Sequence, residues 1–276
     1  MTGRALPKRI SLLVSDVDGT IVTPSPNKHV APATIEAVAR LRAAGIAFSI
    51  VSSRPPRGML SVAGPLGVDQ FAGFNGSSIV AADLTPIEQH FVPEAAARLA
   101  VDALRKVGVD VWVFADGEWF VTDINGPYVA HEVHTVGFEP TEVADFGDHI
   151  ARAGKIVGSS KDPDLLIRCE EELQHLLGDS ASAKRSQTYY LDVTHPSADK
   201  GYAVKALASH FGVPLNEVAV VGDMVNDLPM FAVGALAIAM GNASDDIKAQ
   251  ADYVTTSNAE DGVAHAIDAV ILPRAS

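Results

Sequence analysis

An apolar run, Leu12-Leu13-Val14, ends in Ser15 and then in two carboxylates and a glycine, Asp16-Val17-Asp18-Gly19-Thr20. The run has strand character, and alternate side chains of a strand share a face. Asp16 and Asp18 would therefore project together if the strand continued. Gly19 permits a sharp turn away. Like charges so placed repel unless a cation sits between them or one carboxyl keeps its proton, and both arrangements point to chemistry. An acidic hairpin turn is the alternative at this point, since Asp and Gly are ordinary turn residues.

The remainder of the chain repeats the pattern. Residues 32–44 carry Ile35, Val38, Ala39 and Leu41 near helical spacing, with Gly45 placed as a C-terminal cap. The apolar run Ile46-Ala47-Phe48-Ser49-Ile50-Val51 follows and ends in Ser52-Ser53-Arg54-Pro55. Strand, helix, strand with nearly continuous apolar runs describes a parallel sheet covered on both faces. Two consecutive strands ending in polar residues place a site at their carboxyl ends. After a helix over 57–66 and the turn signal Asn75-Gly76, the character changes at about Thr85. A helix over 93–107, a hairpin through Ala115-Asp116-Gly117-Glu118, a polar stretch over 125–140, a helix over 163–177 and a strand over 188–193 read as an α+β insertion. Beyond His195 the alternation returns, with helices over 200–211, 227–233 and 262–271 and strands over 218–221, 236–240 and 252–255. The fold class is thus α/β, a Rossmann-like parallel-sheet core with an inserted α+β cap domain. Its parts are 1–84 (core, first part), 85–194 (cap) and 195–276 (core, second part).

The chain has 276 residues, enough to bury about three quarters of its unfolded surface. Its 21 basic and 34 acidic side chains give a net charge of -13, which disfavours nucleic acid or an anionic membrane as partner. An anionic substrate then needs local help from a metal ion, a helix N-terminus or placed cations. A single cysteine, Cys169, excludes an intrachain disulfide and suits a reducing compartment. The basic N-terminus runs into too short an apolar stretch for a signal peptide, so the expected location is cytoplasmic.

Four polar clusters fall in the core: Asp16 to Thr20, Ser52-Ser53-Arg54, Asp199-Lys200-Gly201, and Gly222-Asp223-Met224-Val225-Asn226-Asp227. Carboxylates, a hydroxyl and an ammonium at one sheet edge suit a Mg²⁺ site holding a phosphoryl group. In that order, Asp16-x-Asp18-Gly19-Thr20, Ser52, Lys200 and Gly222-Asp223-x-x-Asn226-Asp227 resemble the four motifs of the haloacid dehalogenase superfamily of aspartate-nucleophile phosphatases. The long insertion, with Asn75-Gly76, Lys200-Gly201 and Gly241-Asn242-Ala243, resembles its Cof-type branch. Ser53 stands where many relatives carry Gly, and Ser52 where many carry Thr, so a hydroxyl is kept.

The resemblance implies a Mg²⁺-dependent phosphomonoester hydrolase acting on small phosphorylated metabolites, chiefly sugar phosphates. Asp16 would attack phosphorus to form an aspartyl-phosphate, and Asp18 would act as acid and then base. Mg²⁺ would be held by Asp16, the main-chain carbonyl of Asp18, and Asp223. Ser52 would donate to a phosphoryl oxygen and Lys200 would neutralise charge there and on Asp16. Thr20, Ser53, Asn226 and Asp227 would support the phosphate or the metal shell. Ser52 as a helix cap and Asn75-Gly76 as a bare turn are the structural alternatives. In the cap, Trp119, Tyr128, His131 and His134 are candidates for facing substrate, with the hairpin core as the competing place for Trp112 and Trp119. His131 and His134 lack the third ligand of a zinc site. A phosphomutase using the same Asp16 and a non-catalytic metal-dependent binding protein are the competing functions.

Overall fold

The computed structural model describes residues 6–24 and 28–275. Residues 1–5, half of the basic N-terminal stretch, lie outside that description. Two compact units emerge. One comprises Met1–Ser53, Met59–Pro86 and Asp199–Ser276, and the other Arg54–Gly58 and Ile87–Ala198. Both crossings lie a few residues later than the boundaries at 84/85 and 194/195, and the short segment after Ser53 groups with the insertion.

The first unit is built on five parallel strands in the order Tyr253–Val254, Leu236–Ala239, Val218–Gly222, Leu12–Ser15, Ala47–Ile50. Sequences such as VAVVG and LAIA leave no polar face, so these strands are stable only between two helical layers. On one side Leu13, Phe48, Val221 and Ile238 pack with Val38 and Leu41 of helix Pro32–Ala43 and with Val263, Ile267 and Ile271 near the C-terminus. On the other, Leu12, Val14, Val218 and Val220 meet Val204 and Leu207 of helix Lys200–Phe211 and Met230 and Phe231 of helix Leu228–Val233. The α/β class expected from the apolar runs is the observed one. Leu12–Ser15 lies between the strands on which the chain departs to either side, with Ser15 in register with Ile50 and Val221. The crevice of such a sheet opens beyond the carboxyl ends at this switch point.

The second unit is a six-stranded sheet in the order Ser182–Gln187, Tyr190–Thr194, Ala153–Ser159, Asp110–Ala115, Glu118–Val121, Thr141–Glu142. It is antiparallel save for the last pair. Helices Glu94–Lys106 and Pro163–Leu177 cover one face, where Ala97, Leu104, Leu166 and Leu173 pack on Val111, Val113, Ile156, Leu191 and Val193. Alternation turns Trp112, Phe114, Lys155, Val157, Asp192 and Thr194 to the opposite face. The polar stretch over 125–140 contains a helix, Val129–Val136, entered from Tyr128 in the left-handed region at φ 61°. Among the described residues no helix is long and apolar enough to cross a membrane.

Candidate active site

The strand that opens the first unit stops at Ser15, one residue short of the first carboxylate. The amide of Asp16 still donates to the Val221 carbonyl at 2.9 Å, which carries the parallel ladder one step further. The chain then turns, with the amides of Ile21 and Val22 both donating to the Val17 carbonyl. Asp16 and Asp18 therefore do not share a strand face. Asp16 points inward and is 4% exposed. Asp18 lies on the turn, where the Lys28 ammonium donates to its Oδ1 at 3.1 Å.

Parallel register brings Gly222-Asp223 alongside Asp16, and helix Lys200–Phe211 starts beneath them. The Asp199 side chain caps that helix by accepting from the Tyr202 amide at 2.8 Å. Its first residue, Lys200, is 2% exposed, and its Nζ donates to Asp16 Oδ1 at 2.5 Å and to Asp227 Oδ1 at 2.6 Å. Asp227 Oδ2 accepts from the amides of Asp223 and Met224 at 2.8 and 2.9 Å. Gly222 is required here, because a Cβ on it would lie 2.4 Å from Asp227 Cγ. Thr20 Oγ1 donates to Asp223 Oδ1 at 3.1 Å, and Asn242 Nδ2 donates to Asp223 Oδ2 at 3.2 Å and to the Gly19 carbonyl at 2.9 Å. Gly19 takes a φ of +81° and passes so close to the Asp223 carboxylate that a Cβ would collide with it.

Ser52, Ser53 and Asn226 belong to the same unit. Ser52, buried, follows strand Ala47–Ile50; its amide donates to the Ala72 carbonyl and its carbonyl accepts from the Asn75 amide at 2.8 Å. Asn75 thus braces the Ser52 loop as well as turning the chain. Ser53 is half-buried beside it, and Asn226 is exposed on the turn Val225–Asp227. In the other unit, Trp119 is wholly buried, stacked on Phe114 at 5.6 Å, and its indole N–H donates to the Phe138 carbonyl. It packs the hairpin and leaves no face for a ligand. Tyr128 stacks on Tyr189 at 4.5 Å, and the Tyr189 hydroxyl lies 3.4 Å from His131 Nε2. His134 lies in the last turn of helix Val129–Val136.

The haloacid dehalogenase-like hydrolase family matches residues 13–267, nearly the whole chain. The chain belongs to that family. A protein of Haemophilus influenzae, named provisionally as a phosphatase, is 32% identical over 91% of this chain and 94% of its own. An HMP-PP phosphatase of Citrobacter koseri is 26% identical over 88% of this chain and 89% of its own. The crystal structure of a haloacid dehalogenase-like hydrolase from Bacteroides thetaiotaomicron superposes with a TM-score of 0.87 at 28% identity, covering 95% of this chain and 100% of that one. The chain is a phosphatase, with the large insertion of the Cof-type branch.

The phosphatase carries surplus negative charge at this point. Oxygens of Asp16, Asp223 and Asp227 lie within 4.8 Å of one another, against one ammonium. Burial first, and then Asp227, push the Asp223 carboxyl up to about 6. Burial likewise pushes Asp16 upward, against the pull of Lys200. Burial works against the Lys200 ammonium too, but Asp16 and Asp227 outweigh it and hold it above the ordinary lysine range. Carboxylates with raised proton affinity, clustered and hard, are a donor set that fits a divalent cation. Asp227 already accepts from three donors, Lys200 and two amides, against two on Asp223 and one on Asp16, so Asp16 and Asp223 are the pair with more lone pairs to offer. Asn242 and Lys28 went unnoticed as site residues: each is a lone polar residue in a loop, marked only by the Gly241-Asn242-Ala243 pattern in the first case and by nothing in the second.

Removing one partner of a buried ion pair strands the other. Lys200→Met is expected to lower the unfolding free energy by about 3–5 kcal/mol, measured by urea denaturation. Lys200→Met/Asp227→Asn should recover part of that loss, because it removes one stranded charge.

Proposed function

We propose that the protein is a Mg²⁺-dependent phosphomonoester hydrolase that works through an aspartyl-phosphate on Asp16. The observation that carries this reading is the Lys200 ammonium shared between Asp16 and Asp227, with Asp223 alongside. It unites three motifs far apart in the chain around one nucleophilic carboxylate.

An Asp16 oxygen attacks phosphorus while the ester P–O bond breaks, and Asp18 gives a proton to the departing oxygen. In the second half, Asp18 takes a proton from water, whose oxygen attacks the phosphoryl group and frees Asp16 and inorganic phosphate. An ammonium has three N–H donors; two of those on Lys200 hold Asp16 and Asp227, and the third remains for a phosphoryl oxygen. Ser52 supplies a further donor, while Thr20 and Asn242 hold Asp223 in place. Asp16, Asp223 and the Asp18 carbonyl would hold Mg²⁺, which would offset repulsion between the carboxylate nucleophile and an anionic ester. Asp18 lies at the surface, where the Lys28 ammonium pairs with its Oδ1.

Small phosphorylated metabolites, sugar phosphates foremost, are the proposed substrates, a reading supported by the HMP-PP phosphatase among the relatives. The α+β unit sets the leaving-group preference, and the setting is cytoplasmic, in keeping with one unpaired, buried cysteine. Hydrolysis is preferred over phosphoryl return to a sugar, and release of free phosphate without a bisphosphate activator separates the two.

With Mg²⁺ and p-nitrophenyl phosphate or a panel of metabolite phosphates, the wild type is expected to release phosphate, and chelation to abolish it. Asp16→Asn should lower kcat at least ~10³-fold with an unchanged melting profile. Wild-type turnover in that variant would remove Asp16 as nucleophile. Proton and cation compete for Asp223, whose carboxyl is pushed up to about 6, chiefly by burial. Only the ionised form binds metal, so the Mg²⁺ concentration for half-maximal activity should rise as pH falls from 7.5 to 5.5 and level off above about 7. Titration of Mg²⁺ at fixed pH values checks this.

A further inference from the structure

The segment that follows strand Gln70–Gly73 departs from ordinary backbone geometry at consecutive residues. Phe74, Asn75 and Gly76 take φ of 50°, 56° and 107°. Glycine is at ease there, whereas Phe, bulky and with a Cβ, is strained. Among the described residues the other non-glycine residues with positive φ, Leu84, Asp116, Tyr128 and Asp261, never occur as neighbours. Hydrogen bonding by the carboxamide oxygen does not explain why residue 75 is asparagine: Oδ1 is buried and has no partner among the described residues. Of residues with a side chain, asparagine is among those that best tolerate the left-handed region, so the backbone conformation is what the position selects.

Strain of this kind persists where the surroundings impose it. Here the surroundings are two parts of the parallel-sheet unit. Val51 pairs in parallel with Ala72, the Ser52 amide donates to the Ala72 carbonyl at 3.0 Å, and the Asn75 amide donates to the Ser52 carbonyl at 2.8 Å. Ser52 is thereby gripped through both of its main-chain groups. Gly76 makes the second contact. A Cβ on it would lie 2.9 Å from the Asp199 carbonyl oxygen and 2.9 Å from Ala203 Cβ, so its backbone rests on the first turn of helix Lys200–Phe211. The φ torsion of residue 75 lies between these two contacts, and with a negative value the chain would leave the Ser52 carbonyl in another direction. Lys200 is itself fixed by Asp16 and Asp227, so the helix is the anchor and Ser52 the residue that is placed.

We infer that Asn75 is a positioning residue that acts through Ser52: its left-handed backbone ties the Ser52 loop to the helix start that carries Lys200. Donors held in place before an ester arrives need no rearrangement as charge develops on the phosphoryl oxygens. The strain at Phe74 and Asn75 and the unmet Oδ1 are then the local disadvantage of a fixed spacing between two phosphoryl donors. The catalytic consequence rests on the proposed phosphatase function; the bracing itself does not.

The experiment compares wild type, Asn75→Gly and Asn75→Ala, as full chains with Mg²⁺, by kcat/KM for p-nitrophenyl phosphate. Glycine gives up the carboxamide and keeps the left-handed backbone; alanine gives up both. Asn75→Ala is therefore expected at least about fivefold below Asn75→Gly. A residue that acts through Ser52 loses its effect once the Ser52 hydroxyl is gone. In a Ser52→Ala background the gap between the two variants should close to within about twofold, while any difference in their melting temperatures persists. A smaller gap with Ser52 present, or one that survives Ser52→Ala, overturns this role. Failure of the wild type on every ester defeats the phosphatase reading instead, and amide hydrogen exchange then decides the brace without turnover. Protection of the residue 75 amide at least about fivefold lower in Asn75→Ala than in Asn75→Gly supports it, and equal protection overturns it. Thermal melts identify a variant that has failed to fold, and Asn75→Ser then replaces Asn75→Ala with the same expected order.

Discussion

One ammonium holds the strand ends of the parallel-sheet unit together. Lys200 is almost wholly buried and donates to Asp16, 184 positions away in the chain, and to Asp227, 27 positions away. Burying a lysine is costly unless its donors are met, so the helix it begins cannot shift far without exposing or stranding that charge. The same constraint fixes the strand ends. Asp16 leaves the strand beside Val221, and Asp227 ties back through the amides of Asp223 and Met224. A glycine at 222 is the steric condition for that tie, since any side chain there would occupy the space of the Asp227 carboxylate. Geometry and charge thus specify one another: the ion pair needs the close approach, and the close approach is tolerable only because the charges are paired.

The fold was readable wherever burial leaves a periodic trace. Parallel strands covered on both faces must be apolar throughout, and Val218–Gly222 and Leu236–Ala239 announce themselves for that reason. Carboxyl ends of such strands are where polar residues interrupt the run, so Asp16, Ser52 and Asp223 stood out without coordinates. Other elements leave no such trace. Strand Ser182–Gln187 reads SAKRSQ and sits at the edge of its sheet, where one neighbour and solvent ask little of its side chains. Helix Val129–Val136 is two turns long, begins at a left-handed tyrosine and carries two histidines and a glutamate, so its polarity masked it as loop. The projection of Asp16 and Asp18 to one face failed because the strand ends at Ser15, a boundary set by the turn onto the Val17 carbonyl.

Site residues outside the motifs were hidden for a different reason. Asn242 grips Asp223 and the Gly19 carbonyl, and its own Oδ1 accepts from the Asn258 amide, which links three loops through one amide group. Nothing local requires asparagine at that point; only the meeting of the loops does. Lys28 is similar, an exposed residue whose meaning lies in Asp18 beside it. Such residues are determined by tertiary adjacency, and a linear pattern does not carry it.

A chain with a net charge of -13 that acts on anionic esters calls for a local account. Exposed charges more than about 8–10 Å away are largely screened at physiological salt. What a phosphoryl group meets on arrival is set by groups within a few ångströms. There the ledger runs against the substrate as well: three carboxylates face one ammonium. Evenly paired, the cluster would have no use for a cation. Left with excess negative charge in a buried place, it raises the proton affinity of Asp16 and Asp223 and makes the same oxygens receptive to a divalent ion. The acidity of the site therefore suits a metal-assisted phosphoryl transfer, because the charge that repels an ester alone is the charge that would hold a cation.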